Sequence, residues 1–123
     1  MAPGRLVSVV DDDESVRESL PDLLRELGFS VHAFASAEEF LASALVGQTC
    51  ALVLDVALPQ MSGPALQREL ADRGITIPIV FITAQQDDGI RQQLLAAGAV
   101  DVLMKPFSDS ALLESLTVAL RGQ

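Results

Sequence analysis

Asp11, Asp12 and Asp13 follow the apolar run Leu6–Val10, Asp55 closes the run Ala51–Leu54, and Lys105-Pro106 follows Val100–Met104. Each run is short and bounded like a buried strand. If the three runs are parallel neighbours in one sheet, their C-terminal ends share an edge. In open α/β sheets that edge is where ligands bind. Several carboxylates and one ammonium group then converge in a small space. Carboxylates at close range raise one another's pKa, so such a cluster is unstable as bare charge. A divalent cation relieves it, and a hard cation such as Mg²⁺ prefers carboxylate oxygens.

The elements that must position these residues can be read in order. After the first strand, Val16, Leu20, Leu23, Leu24 and Leu27 recur at helical spacing, and Gly28 reads as a stop. Pro21 lies inside this helix and is expected to remove one hydrogen bond and kink it. Phe29–Phe34 alternates with Ser30 and His32, as an edge strand does. Ser36-Ala37-Glu38-Glu39 is a capping-box signature, with Ser36 as N-cap. The helix that follows carries Phe40, Leu41 and Leu45. Ala51–Asp55 is the third strand, Leu58–Gly63 a loop, and Pro64–Arg73 a helix closed by Gly74. Ile77–Ile82 is the fourth strand, ending at Thr83, with Pro78 tolerated near its start. Gln86–Ala97 reads as a helix stopped by Gly98. Val100–Met104 is the fifth strand, and Ser108 caps a last helix bearing Leu112, Leu113, Leu116 and Leu120. Five strands alternating with five helices imply a parallel sheet covered on both faces.

Composition fits this class. The chain has 123 residues, enough for one domain, with 50% apolar and 20% charged residues, a globular balance. A net charge of −9 argues against direct contact with nucleic acid, which needs a basic face. It fits basic partners or cations, and equally fits simple solubility. The single cysteine, Cys50, excludes an internal disulfide and reads as a small core residue. No stretch reaches the ~18 apolar residues of a membrane span. The N-terminus has no signal-peptide core separate from the first strand. The expected compartment is the cytoplasm, with no membrane partner. Met61 and Met104 read as packing, and His32, the only histidine, as a solvent-facing edge residue.

At this point six pieces match a known family: Val9-Val10-Asp11-Asp12-Asp13, Leu54-Asp55, Leu58-Pro59-Gln60-Met61-Ser62-Gly63, Phe81-Ile82-Thr83-Ala84, Ala97-Gly98-Ala99 and Lys105-Pro106-Phe107. Any one is weak, but together, in this order and at these spacings, they are specific. Over essentially its whole length the chain resembles the receiver domain of two-component response regulators, and most of all the FixJ-like branch. The resemblance implies a doubly wound, flavodoxin-like (CheY-like) (βα)5 fold with strand order 2-1-3-4-5. Residues 1–123 then form a single receiver domain, either complete or the N-terminal part of a longer regulator.

The resemblance also implies roles. Asp55 is the phosphoacceptor, since a carboxylate can attack phosphorus to form an aspartyl phosphate. Asp12 binds Mg²⁺ directly and Asp11 mainly through water, with Asp55 and the backbone carbonyl of Ala57 completing the set; Mn²⁺ can stand in. Thr83 hydrogen-bonds a phosphoryl oxygen after phosphorylation. Lys105 pairs with Asp55 before phosphorylation and with the phosphoryl group after it. A cis peptide is expected between Lys105 and Pro106, turning the chain sharply. The donor is a phosphohistidine on a sensor histidine kinase, or a small donor such as acetyl phosphate. The product is a conformational signal, read on the face of the fourth helix, fifth strand and fifth helix, often by homodimerisation. A DNA-binding domain outside this chain is the expected output.

Each residue also has a blander reading. Asp55 alone is an ordinary turn cap. Asp11–Asp13 alone are helix N-terminal charges, and Asp13 is expected to be no more than that. Thr83 alone is a strand residue, and Lys105 alone a solvated one. An EF-hand is a poor match, with no terminal Glu.

Three positions depart from the family. Val102 stands where a switch Phe or Tyr is usual, and a β-branched side chain cannot make a ring rotation. Output then runs through helix movement, or coupling is weak. Ala57 is small and Gln85 uncharged; both flank the path of the hydrolytic water, so they tune phosphoryl lifetime. Two further readings stay open. A pseudo-receiver keeps the fold as a protein-binding module without phosphorylation. An aspartate-nucleophile phosphatase usually wants a second acid where Ala57 stands. A flavin module is weaker, because three aspartates repel a phosphate after the first strand.

Overall fold

Strand and helix alternate along the computed structural model, which describes residues 5–121. The order is β1 (Leu6–Val10), α1 (Glu14–Glu26), β2 (Ser30–Phe34), α2 (Ala37–Ala42), β3 (Ala51–Asp55), α3 (Gly63–Asp72), β4 (Ile79–Thr83), α4 (Asp88–Ala96), β5 (Asp101–Met104) and α5 (Asp109–Leu120). All strands are parallel, in the order β2-β1-β3-β4-β5. Residues 1–4, read as lacking a signal-peptide core, and residues 122–123 lie outside the described residues. Among those described, no helix is long and apolar enough to cross a membrane.

The two faces of the sheet divide the core. Val7, Val9 and Val53 face α1 and α5, meeting Leu20, Leu24, Leu112 and Leu116. Val10, Leu52, Leu54 and Phe81 face the other helices, with Phe40, Leu66, Leu70 and Leu94. Residues of one strand alternate between faces, and a strand covered on both sides must be apolar throughout. That is why all five residues of β3 are buried, Asp55 included.

Boundaries differ from expectation for local reasons. β4 begins at Ile79 rather than Ile77; Pro78 has no N–H to pair and contributes only its carbonyl, to Leu52 N–H at 2.9 Å. The helix after Ser36 stops at Ala42, because Ser43 is extended and its side chain accepts from Leu45 N–H. A short 3₁₀ turn, Ala44–Gln48, carries Leu45 onward. α4 starts two residues later than Gln86, capped by Asp87 through the Ile90 N–H. α1 runs through Pro21, which is buried. Gly28 (φ 97°) and Gly98 (φ 106°) end α1 and α4 in the left-handed region, as a glycine stop requires.

Register decides what meets at the strand ends. Val10 lies beside Leu54, so Asp11 follows next to Asp55. Asp55 lies beside Ile82, and Thr83 beside Met104, which brings Lys105 to the same edge.

Candidate functional site

Asp11 is fully buried and fully engaged. Its Oδ1 accepts the Asp13 N–H at 2.9 Å and its Oδ2 accepts Lys105 Nζ at 2.9 Å. Its backbone N–H donates to Phe34 O at 3.1 Å, tying the turn after β1 to β2. Asp55 is 5% exposed; its Oδ1 accepts the Ala57 N–H at 3.2 Å and its Oδ2 lies 3.7 Å from Lys105 Nζ. Asp12 is exposed. One carboxylate oxygen from each of Asp11, Asp12 and Asp55 lies within 4.8 Å of the others. Asp13 stands apart as the N-cap of α1, accepting from Ser15 N–H and Oγ; those bonds, its side-chain bond to Ser15 foremost, lower its pKa.

The electrostatics follow from this crowding. Burial first, then the Asp11 charge, pushes the Asp55 carboxyl up, and Ala57 N–H and Lys105 only partly offset them. Burial works against the Lys105 ammonium, but its hydrogen bond to Asp11 and the charges of Asp11 and Asp55 outweigh that and raise its pKa. One lysine therefore faces more negative charge than it can neutralise. Three hard oxygen donors, one of them solvent-facing, fit a small divalent cation that keeps part of its water. Lys105 pairs with Asp55, as expected, and with Asp11 as well. Each acid has one oxygen bonded to a backbone N–H two residues on and turns the other to Lys105, whose Nζ lies 2.9 Å from Asp11 Oδ2 and 3.7 Å from Asp55 Oδ2. The Lys105–Pro106 peptide is cis.

The far side of the site is looser. Thr83 Oγ1 accepts the Gln85 N–H at 3.1 Å and donates to Gln85 O at 3.3 Å, so its hydroxyl is turned to its own loop. Residues 84–87 are all exposed. A cavity of about 150 Å³ lies among Asp55, Ala57, Thr83, Arg91, Val102 and Lys105. Val102 is 6% exposed and lines it without filling it.

Two residues with no role in the sequence reading touch this machinery. Arg91 of α4 donates through Nη1 to Val102 O and through Nη2 to Asp101 Oδ1 at 3.4 Å. Asp101 Oδ2 in turn accepts Ser115 Oγ of α5 at 2.8 Å. Glu38, read only as a member of a capping box, accepts the Met61 N–H in the loop after β3 at 3.1 Å. No local signal marks either contact, since both depend on how α2 and α4 dock. Met104, read as packing, is 43% exposed, because an edge strand leaves one face uncovered there. His32 is exposed, with its ring 4.8 Å from that of Phe34.

A family model for the response regulator receiver domain matches residues 7–117. The chain belongs to that family. This receiver domain is 47% identical over 114 residues to Nodulation protein W of Bradyrhizobium diazoefficiens, covering 93% of this chain and 50% of that protein. It is 43% identical to Transcriptional regulatory protein FixJ of Rhizobium meliloti over 110 residues, 89% of this chain and 54% of that protein. The receiver thus spans about half the length of these relatives. The crystal structure of FixJ-N superposes with a TM-score of 0.87 at 38% identity, covering 100% of this chain and 98% of that one. Response regulator StyR gives a TM-score of 0.88 at 46% identity, over 94% of this chain and 59% of that one. The FixJ-like branch and the five-stranded parallel fold are thereby established.

Proposed function

We propose that this receiver accepts a phosphoryl group on Asp55 and passes the resulting conformational change to an output outside the chain. The observation that carries the reading is the convergence of Asp11, Asp12 and Asp55 within 4.8 Å, with Lys105 bridging the two buried acids. Asp11, Asp12, Asp55 and the Ala57 carbonyl would hold Mg²⁺, which supplies charge neutralisation for the phosphoryl oxygens. A carboxylate oxygen of Asp55 attacks phosphorus in line, the P–N bond of a kinase phosphohistidine breaks, and imidazole leaves. Lys105 sits where a second positive charge can meet the incoming oxygens, and such transfer is mainly positioning and electrostatics. The Thr83 hydroxyl turns from Gln85 to a phosphoryl oxygen. Attack of water on the acyl phosphate then releases phosphate and resets Asp55. The domain so catalyses its own phosphorylation and dephosphorylation.

Output is carried by α4. Val102 cannot rotate a ring, whereas Arg91 links α4 to its carbonyl and the loop from Thr83 leads directly into α4. Ile90, Leu95, Met104, Leu113 and Val118 are exposed on α4, β5 and α5, a face suited to a phosphorylation-dependent homodimer. The relatives' length and the name of the FixJ relative support a transcriptional output domain, which would put this receiver in the cytoplasm. A charge of −9 supports an indirect role at DNA.

Intact mass after incubation with acetyl phosphate tests the reading. One phosphoryl adduct is expected with Mg²⁺, lost in Asp55→Asn and lost without metal. No adduct, from acetyl phosphate or a histidine kinase, would favour the pseudo-receiver. An adduct surviving in the variant would mean another acceptor.

A further inference from the structure

The loop after β3 carries Asp55 at one end and α3 at the other, and Ala57 lies within it. Two of its restraints are internal. Gly63 N–H donates to Val56 O at 3.0 Å, and Ala57 N–H to Asp55 Oδ1 at 3.2 Å. Leu58 is buried in the core on this face of the sheet, Met61 is half-buried against that core, and Gln60 turns the chain at φ 64°. From outside, Ile82 O of β4 accepts the Val56 N–H at 3.0 Å where the loop begins, and Glu38 Oε2 accepts the Met61 N–H further along it, across 23 positions of sequence.

Glu38 is held firmly for this purpose. Ser36 and Glu39 cap α2 reciprocally: Glu39 N–H donates to Ser36 Oγ at 3.1 Å, and Ala35 N–H to Glu39 Oε2 at 2.9 Å. Ala37 and Phe40, both buried, press the same turn onto the core. Adjacent helical positions are about 100° apart, so with Glu39 committed to the cap, Glu38 is aimed at the loop. Its other oxygen, Oε1, is buried with no hydrogen-bond partner, which among the described residues is true of no other buried side-chain oxygen or nitrogen. A carboxylate kept in such a place bears a desolvation cost that a surface loop anchor does not.

We infer that Glu38 is a positioning residue for the metal site: by holding Met61 it sets the loop that presents the Ala57 carbonyl beside Asp55. This rests on the proposed metal set of Asp11, Asp12, Asp55 and Ala57. It makes cation affinity depend on α2, an element that contributes no ligand. The carboxylate acts as a hydrogen-bond acceptor rather than as a charge, so glutamine should replace it and alanine should not.

Titration calorimetry with Mg²⁺ alone, on wild type, Glu38→Ala and Glu38→Gln, tests this alongside thermal melts without metal. Glu38→Ala should weaken Mg²⁺ binding about tenfold, the low end for groups that orient metal ligands. Glu38→Gln should bind within about twofold of wild type, since its amide oxygen can still accept from Met61 N–H. In acetyl phosphate reactions the same alanine variant should need more Mg²⁺ yet reach a similar rate at saturation. Unchanged Mg²⁺ affinity in Glu38→Ala, or equal weakening in both variants, overturns the inference and leaves the proposed function intact. If Glu38→Ala does not fold, Glu38→Gln alone decides, a large loss overturning the inference. A wild type that does not bind Mg²⁺ overturns the metal reading itself, and this inference with it.

Discussion

Asp11 follows β1 and Asp55 ends the neighbouring β3, whereas Thr83 and Lys105 reach the same sheet edge from β4 and β5. On the side of β1 and β3 the acids are buried, and the backbone around them is bonded to β2, to α2 and within its own turn. On the other side residues 84–87 are exposed, and α4 buries one of its nine residues, Leu94. α5, at the same end of the sheet, buries five of twelve. Few buried contacts mean low local stability, and moving elements are drawn from that end of the range. The half of the site that would bind is therefore built rigid, and the half that would respond is built loose.

The largest test of this contrast compares two glycines. A Cβ on Gly63 would overlap the Asp55 carbonyl oxygen and lie 3.0 Å from Val56 Cα and 3.1 Å from the Phe81 ring. Backbone cannot yield as a side-chain tip can, so Gly63→Ala should cost about 1–3 kcal/mol. Gly89 of α4 meets only Asp87 Oδ1, at 3.3 Å, an exposed side-chain atom that caps α4 through the Ile90 N–H and needs to give by only a few tenths of an ångström. Gly89→Ala should change stability by less than about 1 kcal/mol, in the direction of helix propensity. Calorimetric melts check both, and equal losses would break the contrast.

The charge on the rigid side gives a smaller effect with a defined pH sense. A carboxyl raised in the folded state favours folding below its ordinary value, 3.8 for Asp55, and that contribution is lost as pH rises through the folded value. Metal-free Asp55→Asn should therefore gain on wild type as pH climbs from about 4 toward 7. Added Mg²⁺ should shrink the gap by stabilising wild type more. A gap independent of pH would mean that Asp55 is not destabilised by its neighbours.

On the loose side, Arg91→Ala removes the link from α4 to Val102 and Asp101. Exposed ion pairs contribute little, so global stability should move by less than about 1 kcal/mol. The link is present while Thr83 faces Gln85, so its loss should favour the other arrangement. Dimerisation without phosphoryl donor, read by sedimentation, should rise about fivefold, the low end of typical coupling. No change would mean that α4 is not held by this contact. The smallest effect is expected for Val102→Phe, which adds a ring beside Thr83 and should alter dimerisation more than the phosphorylation rate. Equal changes in both would remove the distinction between the two halves.

Much of this was legible in the chain itself. Short apolar runs marked most strands, because a sheet buried on both faces requires continuous apolar runs such as Ala51–Leu54, while apolar spacing, caps and glycine stops marked the helices. Asp11, Asp12, Asp55 and Lys105 were legible as one cluster because they lie at the ends of such runs and parallel register carries those ends to one edge, whereas Thr83 joined them only through the family resemblance. The helix after Ser36 was misjudged in length, since Ser43 competes locally for its own backbone. Met104 was misjudged in burial, since the edge position of β5 is a property of strand order.

What sequence determined by itself was covalent and periodic: which residues carry charge, how far apart they lie, and which elements they terminate. Tertiary structure alone decided the pairings across those elements. Lys105 hydrogen-bonds Asp11 as well as pairing with Asp55, Arg91 reaches the carbonyl of Val102, and Glu38 reaches the Met61 N–H. These contacts are a few ångströms long between groups 94, 11 and 23 positions apart, and only the packing of helices on the sheet sets such distances.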